Sequence, residues 1–115
     1  MATTLSHISV LQGREQVFSH FDTGGEMWNG TGPREVSHHV TFSDAFADVP
    51  NVHVSIDMWD VGSSANLRAE LLAETITKDG FDIVFRTWGD TQIARIRAAW
   101  IAIGPALDPT IWQVD

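Results

Sequence analysis

Residues 66–75 read Asn-Leu-Arg-Ala-Glu-Leu-Leu-Ala-Glu-Thr, and the choice between helix and strand for this stretch decides the fold class. Locally it is a good helix. Ser64 or Asn66 can cap it, Leu67 and Leu71 stand four apart, and Ala, Leu and Glu are strong helix formers. Against this, a central helix would interrupt a chain that reads as strands on both sides. On local preference alone, helix and strand are equally supported.

The flanks alternate with period two, the signature of strands with one buried face. Upstream, Val36, His38, Val40 and Phe42 alternate with Ser37, His39 and Thr41. Val52, Val54, Ile56 and Met58 alternate with His53, Ser55, Asp57 and Trp59. Downstream, Phe81, Ile83 and Phe85 alternate with Asp82, Val84 and Arg86. In the last run Ala94, Ile96, Ala98, Trp100 and Ala102 share a face. The opposite face carries Arg95 and Arg97 and then turns apolar at Ile101 and Ile103. Shorter strands are expected at His7–Leu11 and Gln16–His20. Turn formers punctuate the runs at Gly24-Gly25, Asn29–Pro33, Pro50-Asn51, Gly62–Ser64 and Asp79-Gly80. Short strands at this spacing predict an all-β sandwich or barrel.

At 115 residues the chain has room for one core of ordinary size. Its formal charge of −8 opposes nucleic acid, which is held by Lys and Arg contacts to phosphate, and it opposes anionic membrane surfaces as well. There is no cysteine, so disulfides and thiolate metal sites are excluded. Met1–Ser6 has no signal-peptide pattern, and no apolar run reaches membrane-spanning length, so no membrane insertion is expected. Five Trp and six Phe exceed what a small core requires, and at least one Trp is expected on the surface as a binding platform.

From Val36 to Gly104 the chain resembles the H-type lectin domain. The resemblance rests on VTF at Val40–Phe42, then Phe46, Pro50, Val52–Ile56 and Asp60. It continues with NLR at Asn66–Arg68, GF at Gly80-Phe81, TW at Thr87-Trp88 and WIAIG at Trp100–Gly104. Val10–Gly13 and Arg34-Glu35 also sit where that family places its first strand and the following turn. The resemblance implies a six-stranded antiparallel β-sandwich in which the NLR segment is a strand, so Leu67–Thr75 is assigned to strand against its local preference. It divides the chain into a lectin-like domain over residues 1–104 and a C-terminal extension over 105–115, which holds Trp112. It further implies a homotrimer or hexamer with sites near protomer junctions. Those sites would take galactose or N-acetylgalactosamine glycans on a cell surface without calcium or another cofactor. An extracellular, cell-surface or particle-surface setting follows from that reading.

A sugar site needs an aromatic face for the apolar side of a pyranose and planar polar groups for its hydroxyls. Arg68 matches the family's sugar-binding arginine, and Trp88 its site tryptophan. Three positions depart from the pattern. The family's site aspartate falls on Thr31, the histidine after TW on Gly89, and a later tyrosine on Ala94. Asp90 or Asn29 could supply the missing acceptor. The small Gly89 and Ala94 predict a pocket widened on that flank, which would favour extended glycans over the free monosaccharide.

Other groupings point to structure. His38 and His39 are strand neighbours on opposite faces and cannot grip one metal ion from the same side. No metal site is expected from them or from His7, His20 and His53. Asp57 and Asp60 could pass for a glycosidase carboxylate pair, but they read as exposed acids near one strand end, and no enzymatic activity is expected. Arg95 and Arg97 share a face and spacing with Glu70 and Glu74, which predicts a cross-strand or inter-protomer ion-pair ladder. Two functions remain: a multivalent sugar-binding module, and a structural or receptor-binding subunit of a phage-like tail or spike that keeps the fold with an altered pocket. Arg68 and Trp88 favour the first, and the three altered positions favour the second.

Overall fold

The protein's structure, a computed structural model, describes residues 7–107. Six strands run in the order β1 (Ile8–Ser19), β2 (Arg34–Thr41), β3 (Asn51–Val61), β4 (Glu70–Glu74), β5 (Gly80–Thr87) and β6 (Ile93–Pro105). They form two antiparallel three-stranded sheets, β1-β6-β3 and β2-β5-β4. The alternation in sequence becomes the two faces of the strands, except in β3, where a bulge between Ile56 and Met58 takes Met58 off the face of Val52, Val54 and Ile56 and sets it opposite Arg97. Ile96, Ala98, Trp100 and Ala102 of β6 turn inward, as do Phe81, Ile83 and Phe85 of β5. The sheets share one core. The rings of Phe18 and Phe85 lie 5.4 Å apart edge-on, and those of Phe81 and Trp100 also lie 5.4 Å apart. Burying each such side chain contributes roughly 1.5–3 kcal/mol.

The stretch at 66–75 is a strand only from Glu70 to Glu74, paired to β5 with Leu71 opposite Phe85 and Ala73 opposite Ile83. Leu71 and Ala73 pack on the core, while Leu67 is 41% exposed, so the two leucines that suggested a helical face do not share one. Thr75, at φ 51°, ends the strand in the left-handed region. Residues 66–69 form the approach to the strand rather than part of it.

The two short strands expected near the N-terminus are one strand, β1, whose register shifts between Gln16 and Phe18. His20 instead opens a one-turn helix, α1 (His20–Thr23), followed by a second, α2 (Glu26–Asn29). Gly13 lies opposite Trp100, and a Cβ on Gly13 would come within 2.8 Å of the indole Nε1. The glycine is thus a seat for the Trp100 ring within a continuous strand. Trp100 Nε1 donates to Glu15 at 3.4 Å, and Glu15 pairs with His38 of β2 at 3.0 Å across the open edge between the sheets. His39 turns the other way, to Asp82 at 2.7 Å.

The cross-strand form of the expected ladder between Arg95, Arg97, Glu70 and Glu74 is corrected within the chain. β6 and β4 belong to different sheets, so their side chains do not meet as cross-strand neighbours. Arg95 binds Asp60 at 2.6 Å and Arg97 binds Asp57 at 2.6 Å, both across β6–β3. The hydrogen bonds Arg95 donates to Asp60 raise its pKa above the ordinary value. Asp57 and Asp60 are therefore ion-pair partners rather than free acids. Glu70 and Glu74 both bind Arg86 of β5. β6 runs to Pro105 and Ala106 bridges to Phe46, whereas Trp112 lies outside the described residues. No helix among the described residues is long and apolar enough to cross a membrane.

Candidate functional site

Three connections are bonded together: residues 20–33 between β1 and β2, 62–69 between β3 and β4, and 88–92 between β5 and β6. The Gly32 amide donates to the Gly89 carbonyl at 2.9 Å, and the Gly62 amide donates to Gln92 O at 2.8 Å. Two buried threonines fix the third connection. The Arg68 amide donates to Thr91 Oγ1 at 3.0 Å, the Thr91 hydroxyl donates to Asn66 O, and the Thr87 hydroxyl donates to Arg68 O. Residues 66–68 thus lie outside the β-ladder yet are held on both sides by hydroxyls from the end of β5 and the following turn.

Arg34 ties the rest. It opens β2 on the inward face and is only 6% exposed. Its Nε donates to Gly32 O at 2.9 Å, Nη1 donates to Glu26 O and Met27 O at 3.2 Å each, and Nη2 donates to Gly89 O at 3.2 Å. Among the described residues no carboxylate pairs with it. Its charge is met by backbone dipoles alone, in a fork that only the planar guanidinium can span. The Gly89 carbonyl accepts from both Gly32 and Arg34, so the loop carrying Thr31 and the loop carrying Trp88 are joined within one chain.

The sequence-derived residues fall around this hub. The Arg68 guanidinium binds Asp90 at 2.7 Å; the two side chains are 33% and 63% exposed. Gly89 lies between them at φ +69°. Trp88 follows β5 and is 43% exposed. Thr31 is exposed and adjoins Gly32. Asn29 is turned elsewhere, its amide donating to Gly24 O at 2.9 Å. Ala94 is 2% exposed, so of the two small residues expected to widen the pocket only Gly89 stands at the surface.

An open groove of about 690 Å³ adjoins Trp88, lined also by Pro33, Glu35, Glu70 and Arg86. Arg86 sits between Glu35 across β2–β5 and Glu70 across β4–β5, and it reaches Glu74 at 3.0 Å. The hydrogen bond it donates to Glu35, then that to Glu70, raise its pKa far above the ordinary arginine value.

The sequence reading missed Arg34 and Thr91 and took Thr87 only as part of a motif. Arg34 had a signal: it shares its face with Val36, His38 and Val40 and is therefore placed inward.

Two antiparallel three-stranded sheets around one core define an all-β two-sheet domain. The H-type lectin domain model matches residues 37–103. The chain is 48% identical over 108 residues to the ATP synthase subunits region ORF 7 protein of Fuscovulum blasticum, covering 94% of each. It is 33% identical over 76 residues to discoidin-2 of Dictyostelium discoideum, spanning 65% of this chain and 30% of that one. A solved structure of recombinant discoidin II from Dictyostelium discoideum superposes with a TM-score of 0.76 at 28% identity, over 90% of this chain and 40% of that one. The chain belongs to the H-type lectin domain family.

Proposed function

We propose that the domain binds carbohydrate at the surface formed by Arg68, Gly89, Asp90 and Trp88, as a six-stranded sandwich that recognises glycans without catalysis. The observation that carries this reading is the Arg68–Asp90 pair, with the exposed Trp88 two residues before Asp90 in the same connection. Arg68 offers donors in a fixed fork and Asp90 offers acceptors, so adjacent hydroxyls of one pyranose can be met by opposite partners. Trp88 supplies the flat apolar face. Asp90 takes over the acceptor role absent at Thr31, and Thr31 lies on the flank of the same surface. Galactose- or N-acetylgalactosamine-type glycans are the ligands the family membership favours, bound with no metal.

Assembly would raise the avidity of weak single sites, and a homotrimer is proposed. Its support is the outer face of β1-β6-β3, where Val10 stands opposite Ile103 and both, with Ile8, are well exposed. A glycan array probed with the wild-type protein and with Arg68→Ala tests the function. Binding to galacto-configured glycans that disappears in the folded variant is the expected result. An array without a hit would instead favour a structural or receptor-binding subunit of a larger particle.

A further inference from the structure

Trp88 borders more than the Arg68–Asp90 surface. The groove of about 690 Å³ shares Trp88 with that surface, but none of Arg68, Gly89 and Asp90 lines it. Its size is within the range of small-molecule sites, which runs to about 300–1,000 Å³. Its apolar lining is the indole of Trp88 and the ring of Pro33. Along it, Glu35, Arg86 and Glu70 stand in one row across β2, β5 and β4. The two glutamates are 51% and 46% exposed, so each keeps carboxylate lone pairs open to solvent beyond those turned to Arg86. Three carboxylates hold Arg86 charged and oriented in the absence of any ligand. A stacking wall with pre-set acceptors and one planar donor is the equipment a sugar ring requires, and it is separate from that at Arg68.

We propose that this groove is a second carbohydrate subsite. It holds the sugar unit linked to the one bound at Arg68 and Asp90, with Trp88 as the shared wall. The inference rests on the reading that the Arg68 surface binds a sugar, and it names the ligand class: a neutral oligosaccharide of two or more units. A sialylated or sulfated unit in the groove would face Glu35, Glu70 and Glu74 against the single charge of Arg86, and like charges at that range repel.

Calorimetric titration with N-acetylgalactosamine, and with a neutral disaccharide and trisaccharide ending in it, tests the proposal. For the wild type, affinity should rise about tenfold or more from monosaccharide to trisaccharide, a gain of about 1.4 kcal/mol. Glu70→Trp, which fills the groove, and the double variant Glu35→Gln with Glu70→Gln should lose that gain and keep the monosaccharide affinity, with melting curves showing that both fold. Arg68→Ala should lose every member of the series. A flat series in the wild type, or a full gain in the groove variants, overturns the second subsite and leaves the monosaccharide reading standing. Unchanged binding in Arg68→Ala, or a wild type that binds none of the three, overturns both.

Discussion

The guanidinium of Arg68 rests against the backbone of Gly89: its Nη1 lies 3.0 Å from the point a Cβ on that glycine would occupy. A Cβ at position 89 would press on the guanidinium and require it to shift by a few tenths of an ångström. Gly89→Ala should cost about 1–2 kcal/mol of stability, since its φ of +69° is unfavourable for a residue with a Cβ. It should also weaken sugar binding by displacing Arg68. Thermal melting and titration on the same sample check this, and unchanged affinity would separate Arg68 placement from binding.

Arg68 and Trp88 should be required for binding and dispensable for folding. Arg68→Ala removes up to two charge-assisted hydrogen bonds, each worth about 1.5–3 kcal/mol. Arg68→Lys should restore little, because one ammonium cannot reproduce the planar fork. Trp88→Ala should remove the stacking face with little change in melting. Trp100→Ala should do the reverse, costing about 3–5 kcal/mol because its ring fills the space between the sheets. A folded Arg68→Ala protein with intact binding would place the site elsewhere.

Arg34→Met should lower stability by about 3 kcal/mol or more, since it leaves the carbonyls of Glu26, Met27, Gly32 and Gly89 without their buried donor. Hydrogen exchange should quicken first at the Gly32 amide, whose acceptor is the same Gly89 carbonyl. Uniformly faster exchange across both sheets would show that Arg34 serves global stability and not the joining of these loops.

Sugar binding should survive excess EDTA. Among the described residues no set of three His, Cys, Asp or Glu converges to hold an ion. Loss of binding that added calcium restores would contradict the proposed site.

Light scattering at micromolar concentration should report a trimer. Ile103→Glu should shift it toward monomer by placing a charge on the apolar end of the outer face, beside Val10. A wild-type monomer would refute the assembly.

The sequence by itself determined the strands of period two and the inward face of each, except in β3 beyond Ile56, where a bulge changes the register. Hydrophobic alternation is local and needs no knowledge of partners. Three things only the tertiary structure decided. Residues 12–15 lay between two expected strands, but β1 runs through them, with Gly13 seating the ring of Trp100 from β6. Leu71 and Leu67 suited a helix, but pairing of residues 70–74 with β5 made a strand of half the segment. The partners of Arg95 and Arg97 followed from strand order, which places β6 beside β3 and away from β4. The joining of the connections around Arg68 and Trp88 depends on Arg34, Thr87 and Thr91, whose bonds link loops far apart in sequence. A buried donor seeks whichever carbonyl the fold brings within reach, and which carbonyl that is depends on how the chain returns, not on its neighbours along it.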